Sequence, residues 1–212
     1  MQIFAFAASL RSVSLLIQVA TAIAESEGAD VDLAEFTEFE MPLYDGDLDQ
    51  DVGLPPGAEE LRERIDRVDA VMIAAPEYNY SLSGVLKNAV DCVSRARPMP
   101  WRGRSVYLMS ASPGAHGGVR GLWQTRIPLE ACGALVFPDM FALGNAHLAF
   151  DERGHLIDLA ASQRLERELV GFIRLAEVVA PLARVTSKTS DAERAREIEA
   201  ALEDESELQP QS

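Results

Sequence analysis

The sequence predicts an α/β fold in which a parallel sheet is covered by helices on both faces. Runs such as QIFAFAA, DAVMIAA and SVYLMSA are almost continuously apolar, the pattern of strands buried on both sides. Between them lie amphipathic stretches long enough for the helical crossovers that parallel strands require. A chain of 212 residues with 48% hydrophobic content can bury one substantial core and is too short for two large domains.

Each element follows from local pattern. QIFAFAA is the first strand, and SVSLLIQVATAIAESEG repeats apolar residues at helical spacing up to Gly28. ADVDLAEF alternates as a second strand, AEELRERIDRV is a charged amphipathic helix, and DAVMIAA is a third strand that stops at Pro76. SGVLKNAVDCVSRA then makes a helix and SVYLMSA a fourth strand. VRGLWQTRIPLEACG predicts a helix with Pro128 near its middle and a bend there. ALVFPD is the fifth strand, and ASQRLERELVGFIRLAEVVAPLA closes the core as a long helix. Right-handed crossovers among five parallel strands lead to the flavodoxin-like order 2-1-3-4-5. In such sheets ligands bind beyond the carboxyl ends of the strands, which singles out the loops ASLRSVS, PEYNYS and SPGAHGG.

Charge narrows the partners. A formal charge of -15 argues against nucleic acid and anionic membranes, whose binding rests on Lys and Arg neutralising phosphate. Small molecules and basic proteins remain. Cys92 and Cys132 are too few for a disulfide framework and form no CxxC pair, and MQIFAFAASLR lacks both the basic region of an export signal and the length of a membrane span. The expected compartment is the cytoplasm. Residues 1–186 form the expected domain, and 187–212 an acidic, partly helical tail in which Asp191 to Glu207 holds eight carboxylates against two arginines. DGDLDQD lacks the glycine and glutamate of a calcium loop at the required positions and reads as a solvated loop. His116, His147 and His155 have no zinc-like spacing.

The first loop has the chemistry of an anion site. It delivers Ser9, Arg11, Ser12 and Ser14 to the start of a helix, whose free N–H groups and dipole already favour a phosphate. The same hydroxyls would also serve as a plain helix cap. GxxxxGK[ST] and GxGxxG are both absent, which argues against a nucleoside triphosphate loop and a dinucleotide-first fold.

Together the loops carry a family resemblance. ASLRSVS resembles GSLRxxSxN, MPLYDGDLD resembles PLYDxD, PEYNYSLSGVLKNAVDCVSR is similar to PEYNxSxPGxLKNAxDWxSR, and SPGAHGGVR is similar to SxGxxGGxR, in the same order along the chain. These are the signatures of the NADPH-dependent FMN reductase family, flavodoxin-like reductases of quinones, azo compounds and chromate. The resemblance implies that Ser9, Arg11 and Ser14 bind the FMN phosphate. It implies that Pro76, Glu77, Tyr78 and Asn79 line the ribityl chain and the ring, and that Ser112, Gly114, Gly117 and Gly118 approach its pyrimidine end. Glycines there can take positive backbone angles and bring N–H groups close to the ring. The family's first glycine is Ala8 here, and the proline after PEYNxS is Ser83. A glycine-only conformation at Ala8 would cost about 1 kcal/mol.

By the same resemblance the protein is an enzyme that passes hydride from NAD(P)H through FMN to a small-molecule electron acceptor by a ping-pong course, with no side chain nominated as acid. Arg120 is expected to contact a cofactor phosphate or to pair with an acid across a subunit interface, the latter favoured. Tyr80 and Trp123 wall the site or pack an interface. Lys87 and Asn88 are expected to orient loops, and Cys92, at the family's tryptophan position, to pack on the sheet. A homodimer or homotetramer is implied. An electron carrier and a flavin-free regulatory relative are the alternatives.

Overall fold

The protein is described by a computed structural model over residues 1–8 and 15–181. Ser9, Arg11, Ser12 and Ser14, together with the acidic tail 187–212, lie outside the described residues. The chain runs through β1 (Gln2–Ala7), α1 (Leu15–Ser26), β2 (Asp30–Glu35), α2 (Gly46–Val52), α3 (Pro56–Arg67), β3 (Ala70–Ala74), a hairpin of β4 (Glu77–Tyr78) and β5 (Ser81–Leu82), α4 (Gly84–Val93), β6 (Ser105–Ala111), α5 (Val119–Ala131), β7 (Leu135–Val136) and β8 (Phe141–Leu143). A last helix, α6, occupies 159–181.

The main sheet is parallel, in the order β2-β1-β3-β6-β7, with β8 also paired to β6. This is the expected flavodoxin-like winding with its fifth position shared by two short strands. β7 pairs with the start of β6 through Ser105↔Leu135 and β8 with its end through Met109↔Phe141. Phe137 still donates to the Val106 carbonyl at 2.8 Å, and Pro138 stands in the gap between the two short strands.

The two-residue period of a strand sends neighbouring side chains to opposite faces. Phe4, Phe6, Val71, Ile73, Val106 and Leu108 face one buried cluster with residues of α3, α4 and α5. Ile3, Ala5, Met72, Tyr107 and Met109 face the other, against α1 and α6. Tyr107 donates its hydroxyl to Glu168 of α6 at 2.8 Å, and burial together with that carboxylate pushes the phenol pKa up.

Four local expectations are corrected. The DGDLDQD segment is helical in α2, because Asp45 accepts hydrogen bonds from the N–H groups of Asp47 and Leu48 and so caps a turn that its composition hides. Pro128 sits in the last turn of α5, not near its middle, and the helix runs through it. PEYNYS forms a hairpin where a loop was expected. Ala8 is buried and does not take a left-handed backbone, so the alanine incurs no strain. Among the described residues no helix is long and apolar enough to cross a membrane.

Candidate functional site

The functional loops start from a common edge because the ladder continues one step past the strands. Ala8 N donates to Ala74 O at 2.9 Å, Ala75 N to Met109 O at 2.8 Å, and Ser112 N to Leu143 O at 3.0 Å. Ser83 ties two of these loops together. Its fully buried hydroxyl donates to the Ala8 carbonyl at 3.0 Å and accepts from Leu86 N at 3.4 Å, capping α4 while fixing where the chain leaves β1. The family's proline could do neither.

In the hairpin, Glu77 and Tyr78 pair with Leu82 and Ser81 around the two-residue turn Asn79–Tyr80. Both turn residues have positive φ, 51° and 65°, as a tight turn matching strand twist requires. Asn tolerates this region, whereas a bulky Tyr there is strained. Tyr80 is held by the Arg120 guanidinium, 3.9 Å above the ring centroid.

Arg120 in turn is gripped by Glu77. Glu77 Oε1 accepts from Arg120 Nε at 3.0 Å and Nη2 at 2.8 Å, while Oε2 accepts from the backbone N–H groups of Arg120 at 3.0 Å and Gly121 at 3.1 Å. One carboxylate thereby caps α5 and neutralises its first cation. Burial works to raise the Glu77 pKa, but the hydrogen bonds from Arg120 and Gly121 outweigh it and hold the carboxyl below its usual range. The helix can approach because position 121 is glycine: a Cβ there would lie 3.0 Å from Glu77 Cα. The acid that Arg120 meets therefore belongs to its own chain, where a partner subunit's had been favoured.

In the loop after β6, Gly117 and Gly118 have φ of 63° and 86°, as the glycine pattern predicts, but Gly114 does not. Their close approaches are to the chain itself. A Cβ on Gly117 would fall 2.7 Å from Leu143 N, and one on Gly118 2.2 Å from Ser110 Oγ. Ser112 Oγ accepts from Gly114 N at 3.2 Å. A Cβ on Gly114 would meet only that hydroxyl, at 3.7 Å, so this part of the loop is open to a ligand.

The family model described as NADPH-dependent FMN reductase matches residues 1–148. The chain belongs to this family. It is 36% identical over 149 residues to an NAD(P)H-dependent FMN reductase of Pseudomonas aeruginosa, covering 67% of this chain and 76% of the relative. It is 32% identical over 175 residues to a quinone reductase of Escherichia coli, covering 81% of this chain and 93% of the relative. Among solved structures it is similar to FerB, a flavoenzyme NAD(P)H:(acceptor) oxidoreductase of Paracoccus denitrificans, with a TM-score of 0.72 and 26% identity over 84% of this chain and 98% of that one. The protein is thus a flavodoxin-like oxidoreductase of the FMN reductase family.

The described residues fit the family's flavin. Glu77, the carboxylate of the PEYN turn, is neutralised by Arg120 and leaves no free negative charge to repel a phosphate or a reduced ring. The backbone around Gly114 is approachable, and Ala8 carries the chain off β1 without strain. Pro76 and Glu77 are half-buried, while Tyr78 is 46% and Tyr80 68% exposed, so the outer face of the turn is open. Trp123 is 55% exposed on α5 and is not core.

Two residues carry more than the sequence assigned them. Ser83, which stands where the family has proline, ties the exit of β1 to the start of α4. Asn88, expected to orient loops, clamps the PLYD segment with both ends of its amide: Oδ1 accepts from Tyr44 N and Nδ2 donates to Pro42 O, each at 2.8 Å. Lys87 pairs with Asp91 on its own helix at 2.6 Å.

Proposed function

We propose that the protein is an FMN-dependent NAD(P)H oxidoreductase that reduces quinones and other electron acceptors, including azo compounds, chromate and free flavin, by a ping-pong course. The observation that carries this is the set of helix starts at the carboxyl edge in a chain of this family. Ser83 occupies the start of α4 and Glu77 that of α5, while α1 is preceded by SLRSVS, with its cation and hydroxyls. Ser9, Arg11 and Ser14 would hold the phosphate there. Pro76, Glu77, Tyr78 and Asn79 would offer the hairpin backbone to the ribityl chain and ring, with Glu77 acting through its latch on α5. Ser112, Gly114, Gly117 and Gly118 would bound the pyrimidine end, where N–H groups favour the negative charge of the reduced state.

Bound FMN supplies a two-electron store that accepts hydride from one substrate and delivers it to the next. The chain orients both substrates in one place and keeps that place open to exchange. Tyr80, Arg120 and Trp123, on the exposed side of the turn, would wall the mouth through which nicotinamide and acceptor alternate. The free cysteines Cys92 and Cys132 suit a reducing compartment, the cytoplasm. The reductase domain would span 1–186 as a homodimer or homotetramer, with 187–212 as an appended tail. Initial rates with NADPH and a quinone varied together test the reading. Parallel double-reciprocal lines that vanish without FMN are expected, and intersecting lines would exclude the ping-pong course.

A further inference from the structure

A cavity of about 520 Å³ opens between the segment following β2 and the first turns of α4. Such a volume is within the range that holds small-molecule ligands. Phe39, Met41, Leu43 and Val85 give it an apolar wall, and Glu40 and Asn88 are among its polar neighbours. The Asn88 amide is already engaged at both ends by Tyr44 N and Pro42 O, so it fixes the rim and has its main hydrogen bonds made. Glu40 is exposed at the rim of a chain with formal charge -15, which disfavours anionic amphiphiles such as fatty acids.

The cavity is also close to the loop site. Gly84 lines it, and the preceding residue, Ser83, touches Ala8 at the head of the first loop. Gly84 also lies two residues beyond the hairpin strand Ser81–Leu82, so one short stretch of chain borders both places.

We propose that the cavity binds the apolar tail of a substituted quinone, an uncharged alkyl or isoprenoid chain, while the quinone ring is reduced at the loop site. This rests on the quinone reductase reading and adds a second point of recognition to it. Leu43, 82% exposed at the rim, and Val85, on the wall, would set the preference for tailed acceptors.

The test compares the FMN-loaded enzyme on a decyl-substituted benzoquinone and on the same ring without the tail. Wild type is expected to favour the tailed acceptor by about tenfold or more in kcat/KM, since each buried methylene adds to binding. Leu43→Asp and Val85→Phe should bring the ratio towards one. Equal kcat/KM in wild type, or a ratio untouched by both variants, would overturn the inference. A redox-inert decyl dimethoxybenzene, titrated by calorimetry, separates this from the wider reading. Binding that Leu43→Asp abolishes supports the tail site even if no quinone turns over, and absence of binding up to the ligand's solubility overturns it. If Leu43→Asp instead splits a dimer in sedimentation while tail preference persists, the cavity is a contact between copies and the inference fails.

Discussion

Replacing Glu77 by Gln tests whether the carboxylate of the PEYN turn is a latch on α5. Its oxygens divide their work: one takes two backbone N–H groups, the other two guanidinium N–H groups. Glutamine has one acceptor oxygen, so if it keeps the backbone pair its NH₂ faces Arg120. Two charge-assisted bonds are then lost, each worth about 1.5 to 3 kcal/mol in full. The side chain of Glu77 is 9% exposed but that of Arg120 is 39%, so water recovers part of the cation's cost. That leaves about 2 kcal/mol in all. For a chain of this size the corresponding fall in Tm is about 4 to 8 °C. The pH dependence follows from the lowered carboxyl pKa. A depressed folded value gives stability that is fully present above the unfolded value of about 4.3 and lost as pH falls through the folded one. Thermal unfolding of both proteins across pH 7 to 3 should show a gap that narrows below about pH 4. Equal Tm at pH 7, or a gap that persists undiminished at pH 3, would refute the latch.

Other perturbations follow from the same geometry. Ser83→Ala should cost about 1 kcal/mol in thermal unfolding, and weaken FMN about threefold or more in a fluorescence titration, because it removes the α4 cap and frees Ala8. Gly117→Ala should destabilise by about 3 kcal/mol or more, combining positive φ with a 2.7 Å clash against backbone, whereas Gly114→Ala should stay within about 0.5 kcal/mol. Urea midpoints distinguish the two glycines. Arg11→Ala should weaken FMN at least about tenfold and leave the circular dichroism spectrum unchanged; unaltered affinity would remove Arg11 from the phosphate site. Deleting 189–212 should leave Tm and reductase rate nearly unaltered, and a large loss in either would tie the tail to the core.

The sheet was legible because its strands are buried on both faces and so appear as apolar runs, with Pro76 and the loop glycines marking their ends. The hairpin was not, since its turn is Asn79–Tyr80, and a tyrosine in the left-handed region gives no glycine signal. The two-residue spacing between EY and SL was the clue available. α2 was hidden by its acidic composition, and its cap, Asp45, was read as one carboxylate among several. The division of the fifth strand was foreshadowed only by Pro138.

The site loops were legible as motifs, but not what their side chains do within the chain. Glu77 and Arg120 are far apart in sequence, and only the fold shows that the acid of one motif closes on the cation of another. Gly117 and Gly118 do take the positive φ expected of the loop glycines and Gly114 does not, yet at Gly117 and Gly118 the nearest backbone is that of β8 and the nearest side chain Ser110. Ser83 looked like a lost proline and is a buried tie between two loops.

The measurement closest to the central claim is an absorbance titration of the purified protein loaded with FMN and freed of excess, given NADPH without oxygen and then a quinone. A retained yellow flavin band that bleaches with NADPH and returns in full with quinone is expected. Flavin that is not retained, or that is retained but does not bleach, would contradict it.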